Sequence, residues 1–297
     1  MQKVKNTIPV YDICTIGGEN HINEDIIAEP FAAYLVQHPN LHAAHRHSFY
    51  HMVLFTKGGG YHTVDFEQFT VKPGQVYFMS PGQVHSWNFK GEMDGYIVNF
   101  SEDIISSFLA DNDYLQQFSF FRGTPADGVI NLPPAAVTDV KAIMEKVVHE
   151  AHNPAHASKE MIAALLTELF ITVQRNVSNG HTHTIAQPNL VILNNFRQLV
   201  NTYYAEKRLP KDYAALLYIT PNHLNALCKD LLGKPAGEVI RDRILLEVKR
   251  LLINADISMS EIAFRLNFSD NSHFTKFFKK YTNTTPEEFR KKALGNY

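Results

Sequence analysis

Four imidazoles crowd two short stretches of this chain. In His45-Arg46-His47-Ser48-Phe49-Tyr50-His51 the histidines fall at 45, 47 and 51, and a fourth follows in Pro81-Gly82-Gln83-Val84-His85-Ser86-Trp87. Alternate residues of a strand share a face, so His45, His47 and His51 would point the same way. Neutral imidazole ligates zinc, iron and nickel, and its ring nitrogens also hydrogen-bond small organic molecules. With Tyr77 and the single Trp87 nearby, the lining would combine aromatic platforms with polar tips, which suits a sugar or a small aromatic compound. His47, His51, Tyr77, His85 and Trp87 are therefore the candidate effector contacts. No metal or other cofactor is expected; were one held, His45, His47, His51 and His85 would be its candidate ligands. Each histidine taken alone is equally well explained as a hydrogen-bonded strand residue.

A second chemical group lies towards the other end, and it occurs twice. Asn222, Asn225, Ala226 and Lys229 stand opposite an apolar stripe of Leu224, Leu227, Cys228 and Leu231. Asn271, Ser272, Thr275, Lys276 and Lys279 stand opposite Phe274, Phe277, Phe278 and Tyr281. Both stripes are spaced i, i+3, i+4, i+7, the signature of an amphipathic helix. Asparagine pairs with adenine edges, lysine with guanine or phosphate, and hydroxyls with either, so the polar faces suit double-stranded DNA. Asn225 is expected to read a base and Lys279 a phosphate. Cys228, on the apolar side, is packing rather than chemistry.

The elements that must position these faces also repeat. Ala214, Leu217 and Ile219 match Ala263, Leu266 and Phe268 at an offset of 49, and after the turn Leu224 to Gly233 match Phe274 to Asn283 at 50. Each copy reads as a helix-turn-helix, stopped at Gly233 or Asn283, the two residue types that best tolerate a left-handed terminus. Ser258-x-x-Glu261 and Thr285-Pro286-x-Glu288 are capping boxes. Between the copies, 236–254 reads as one helix with Val239, Ile240, Ile244, Val248, Leu251 and Leu252 inward. Such a spacer would hold two reading helices about 34 Å apart, one DNA turn.

These residues resemble the AraC/XylS family of transcription regulators. The resemblance covers about 189–297 and is most specific in Ser260-Glu261-Ile262-Ala263 to Phe268-Ser269-Asp270, continuing to Phe278-Lys279-Lys280 and closing at Thr285-Pro286-Glu287-Glu288-Phe289-Arg290. Asn283 stands where the family usually has glycine, and Ala226 where many relatives have a long polar residue. The histidine stretches resemble the two motifs of the cupin barrel, with His51 where enzymatic cupins usually carry glutamate. The AraC resemblance implies a barrel that holds an effector, helices that form a homodimer interface, and activation through RNA polymerase as the commoner habit.

Composition fits two domains. The chain has 297 residues, 45% hydrophobic and 20% charged, enough for two cores. Its net charge of -2 conceals a division: residues 189–297 carry 17 Lys+Arg against 11 Asp+Glu, leaving 11 against 19 for 1–188. A basic half points to nucleic acid. Two cysteines imply no disulfide framework, and neither a signal segment nor a membrane-length apolar run is evident, so the cytoplasm is expected.

The expected architecture is mixed. An all-β cupin-like barrel with following helices occupies 1–177, with 1–30 as an arm or loose edge, β pattern from 31 to 100, and helices over 136–151 and 159–177. A flexible linker spans 178–188, and an all-α domain with two helix-turn-helix motifs spans 189–297, opening with a helix over 190–204. The expected function is an effector-responsive, non-enzymatic transcription regulator in which the effector acts through the arm, the dimer helices or the linker. The alternative is a cupin metalloenzyme with an attached DNA-binding domain.

Overall fold

The computed structural model describes residues 8–17, 25–109, 114–178, 187–254 and 256–295. The chain divides into two compact units, an N-terminal one of Pro9–Thr182 and a C-terminal one built on His183–Tyr297. The expected linker falls largely outside the described residues, as do 1–7 and 18–24 of the expected arm.

The N-terminal unit is built on one eight-stranded sheet, ordered β1-β3-β7-β4-β6-β8, with β2 on β7 and β5 on β4. Its backbone is two long strands, β4 (Tyr50–Val64) and β7 (Val84–Phe100), paired antiparallel along most of their length. The others are β1 (Val10–Tyr11), β2 (Ile26–Pro30), β3 (His45–His47), β5 (Glu67–Thr70), β6 (Gln75–Met79) and β8 (Val129–Asn131). Alternation sorts β4 into two faces. Met52 and Leu54 pack with Val76, Phe78 and Val98 on the side covered by α4 (Pro134–His152) and α5 (Ser158–Ser178). Val53 and Phe55 pack with Tyr77, Trp87 and Ile97 on the other. Both faces are buried, so Tyr50–Phe55 is buried throughout.

Two expectations are corrected. Residues 26–30 are not a loose edge: β2 lies against the end of β7, from Ile26 opposite Phe100 to Pro30 opposite Tyr96, with Ile26 to Glu29 buried. Residues 31–37 are not strand but a helix, α2 (Phe31–Gln37), which turns Phe31 and Tyr34 inward at i and i+3. Short helices α1 (Ile13–Gly17) and α3 (Asp103–Leu109) also belong to this unit, with 3-10 turns at Pro39–His42, Tyr114–Gln117, Ser119–Phe121 and Ala126–Gly128.

The C-terminal unit is all helix: α6 (Gln187–Tyr203), α7 (Pro210–Leu216), α8 (Pro221–Leu232), α9 (Ala236–Leu252), α10 (Met259–Arg265), α11 (Asn271–Thr282) and α12 (Pro286–Gly295). The two helix-turn-helix copies share their turn geometry. Ile219 N–H returns to the Ala214 carbonyl at 3.0 Å and Phe268 N–H to the Ala263 carbonyl at 2.8 Å. The residue before each, Tyr218 or Asn267, is left-handed, with φ of 54° and 52°. Gly233 (φ 70°) and Asn283 (φ 59°) end α8 and α11 as the sequence suggests. Thr220 caps α8 and Asp270 caps α11, each accepting from a histidine amide three residues on.

Tyr218 bears the cost of this turn. A non-glycine residue in the left-handed region loses about 1–2 kcal/mol, and the ring is 96% exposed, so it recovers little by packing. Tyr218→Gly is expected to stabilise the C-terminal unit by about 1 kcal/mol. Thermal unfolding checks this, and a lowered midpoint would mean that the ring has a folded-state partner.

Candidate nucleic-acid interface and buried histidine cluster

In each reading helix one side is core and the other is open. Leu224, Leu227 and Cys228 are buried in α8, Phe274 and Phe278 in α11. Burial pushes the Cys228 thiol up to about 11, the behaviour of a packing residue. Asn222, Ala226 and Lys229 are exposed, and so are Asn271, Ser272, Lys276 and Lys279; Asn225 and Thr275 are half-buried. Asn225 has a structural duty: its Oδ1 accepts the Ala236 amide at 3.1 Å, capping the first turn of α9. Asn271 Nδ2 donates to Ser260 Oγ at 2.7 Å, tying the start of α11 to α10.

Two exposed residues were missed by the reading of the sequence. His223 and His273 occupy the third position of α8 and α11. The repeat itself could have found them, because at the offset of 50 His223/His273 and Lys229/Lys279 are the identical pairs on the open faces.

Arginines brace this unit. The Arg208 guanidinium lies 3.9 Å from the Phe268 ring centroid and donates to the Leu266 carbonyl, so it clamps the second turn. Arg243 stacks 4.0 Å from the Tyr204 ring and bonds Asn201 and Glu247, holding α6 to α9.

The N-terminal unit gathers its imidazoles inside the sheet. His45, His47, His51 and His85 are at most 4% exposed, and a fifth, His62, is fully buried with them. Register explains the gathering: β3 sets His45 opposite His85, and β4 sets His62 opposite Trp87. His45 Nδ1–H donates to the Ala43 carbonyl at 2.8 Å, and His51 Nδ1–H to Asn99 Oδ1 at 2.7 Å. His62 Nε2 and His85 Nδ1 are 3.1 Å apart, and His85 Nε2 and His47 Nε2 3.5 Å. His45 Nε2, His51 Nε2, His62 Nδ1 and Trp87 Nε1 are buried without a hydrogen-bond partner among the described residues. Desolvation is the main cause that drives all five pKa values down, to about 4 for His45 and about 3 for His51, so the cluster is neutral. Tyr77 is also buried; its hydroxyl donates to Gln75 Oε1 at 3.3 Å and its ring lies 4.8 Å from His62.

Residues 213–292 match the model of a helix-turn-helix domain, and residues 31–170 match that of the AraC-like ligand binding domain. The chain belongs to the AraC family of transcription regulators. It is similar to the HTH-type transcriptional activator RhaS of Salmonella typhimurium, 24% identical over 251 residues, 83% of this chain and 86% of that one. Among solved structures, fatty-acid-bound ToxT of Vibrio cholerae aligns over 90% of this chain and 95% of that chain, at 12% identity and a TM-score of 0.43. As an AraC-type regulator the chain thus has a helix-turn-helix DNA-binding region behind a β-rich ligand-binding domain. Among the described residues, no helix is long and apolar enough to cross a membrane.

Within this AraC-type frame, the expected effector contacts His47, His51, Tyr77, His85 and Trp87 all lie on the inner side of the sheet. His62, which no motif flagged, lies with them.

Proposed function

We propose that this chain is a sequence-specific activator that reads double-stranded DNA with the open faces of α8 and α11 and answers to a ligand held inside the N-terminal sheet. The observation that carries the DNA reading is the repetition: two helix-turn-helix copies with matching turns, caps and terminators, each with an open face holding histidine at its start and lysine in its last turn. Helix starts and lysines suit phosphates, and Asn222, Asn225, Asn271, Ser272 and Lys276 suit base edges. Ala226 makes α8 the less discriminating reader.

The ligand acts by changing which pair of DNA sites the two heads occupy together. The regulator works as a homodimer in the cytoplasm, with α4 or α5 at the interface, and engages RNA polymerase at the promoter; the description of RhaS as an activator supports that sign. A regulator rather than an enzyme is the better reading, because the histidines are enclosed by rings instead of facing a substrate cleft.

Lys229→Ala and Lys279→Ala are each expected to weaken binding to all sequences alike, and to lower the slope of log affinity against log salt by about one. Titration of labelled operator and random duplexes at several salt concentrations checks this. Loss confined to one base position would identify a base contact instead. The reading as a whole fails if the protein protects no specific site in a footprint of its own promoter region.

A further inference from the structure

The ligands of an ion must converge, carry free lone pairs and be held in place from behind. His45, His47 and His85 meet the first condition: their candidate ligand atoms all lie within 4.8 Å of one another. A tetrahedral zinc with bonds of about 2.0–2.1 Å sets its ligand nitrogens about 3.4 Å apart, and the Nε2 atoms of His47 and His85 are 3.5 Å apart. The second and third conditions are met together. With Nδ1–H given to a carbonyl oxygen at His45 and to an amide oxygen at His51, each Nε2 keeps its lone pair. Such acceptors behind the ring are the usual support of a metal-bound histidine. Both Nε2 atoms are buried and have no partner among the described residues, a cost that an ion would remove.

We propose that this cluster is a site for a divalent first-row transition metal of the zinc type, with His45, His47 and His85 as Nε2 ligands and His51 as the adjoining fourth. The His51 ring lies 5.3 Å from that of His47 and 5.2 Å from that of His85. His62 is a positioning residue. Its Nε2, 3.1 Å from His85 Nδ1, accepts a hydrogen bond from the Nδ1–H and so keeps the His85 lone pair on Nε2, facing His47. The donor set is all imidazole, which selects zinc, cobalt, nickel or copper over magnesium or calcium. The metal would be what the ligand-binding domain senses, and only this last point rests on the regulatory reading above.

The test uses full-length protein freed of metal by chelator and titrated with Co2+, whose visible ligand-field bands report the coordinating atoms. The expected result is one tightly bound Co2+ per chain, displaced by Zn2+, with bands of a low-coordinate imidazole site. His47→Ala and His85→Ala are expected to weaken binding by at least about 100-fold, and His62→Ala by about 10- to 100-fold with partial rescue in His62→Gln, which keeps an acceptor. A variant lacking the exposed His149, His152 and His156, and one lacking His181 and His183, should bind as the parent does. If either of these loses the bands, or if the parent shows none while its circular dichroism is that of folded protein, the site is overturned. In that case footprinting still decides the DNA reading by itself. Bands without any operator binding would instead keep the site and overturn the regulator.

Discussion

Chelator-treated protein is expected to lose its N-terminal unit between pH 6.5 and pH 5 while the C-terminal unit stays folded. Five imidazoles are buried and held neutral, with folded-state values far below the ordinary 6.5. In the unfolded chain they titrate normally. Below pH 6.5 the unfolded state therefore binds more protons than the folded one, and stability falls as pH falls; above it the contribution is complete. Each neutral histidine costs about 1.4 kcal/mol per pH unit, so at pH 5 about 2 kcal/mol apiece and about 10 kcal/mol for five. A domain is stable by about 5–15 kcal/mol in total. In the C-terminal unit the described histidines, His223 and His273, are exposed. Trp87, the single tryptophan, sits beside His85 with ring centroids 5.5 Å apart, so its fluorescence reports the N-terminal unit alone. Emission unchanged down to pH 4 would mean that the folded cluster accepts protons.

What could be read from the sequence follows from how each signal is carried. The helix-turn-helix copies repeat a local pattern, with caps, stripes and left-handed terminators written at fixed spacing, so Gly233 and Asn283 stand where they were expected. Even the turn is local, although left-handed Tyr218 is a conformation no residue preference would suggest. The sheet is different. Strand β2 and the first part of β4 are buried on both faces, so Ile26 to Glu29 and Tyr50 to Phe55 show no alternation to read. Helix α2 has only seven residues, too few for a 3.6-residue period to separate itself from a strand. The capping contact of Asn225 was not legible because its partner, the Ala236 amide, lies in the next helix.

His62 was missed for a more instructive reason, which makes Gly60→Ala the sharpest test of how the cluster is built. From Tyr50 to Phe55, odd-numbered residues of β4 oppose odd-numbered residues of β7, as His51 does Asn99. Two register shifts between Phe55 and Gly59 change the parity, and from Gly60 on even-numbered residues of β4 oppose odd-numbered ones, as His62 does Trp87. A one-residue slip moves a strand's side chains to its other face, so counting on from His51 points His62 outward when it is in fact inside. Gly60 lies just beyond that irregularity, opposite Phe89 in the run of pairs that leads to His62. It has φ of 101°, and a Cβ there would lie 2.3 Å from the Asn88 carbonyl oxygen and 2.8 Å from Phe89 Cα. Both are backbone atoms of the paired strand, which cannot swing aside as a side chain could. Gly60→Ala is thus expected to cost at least about 4 kcal/mol, the range reserved for backbone strain and core disruption. For a unit of this size that is a fall of roughly 8–16 °C in melting midpoint. Gly82→Ala is the control: its φ is 84° but nothing lies within 4 Å of the added carbon, so only about 1–2 kcal/mol of left-handed strain applies. Trp87 fluorescence during thermal unfolding compares the two. If Gly60→Ala melts no lower than Gly82→Ala, the irregularity can relax. The inward placement of His62 would then be a preference of the side chain and not a consequence of the backbone.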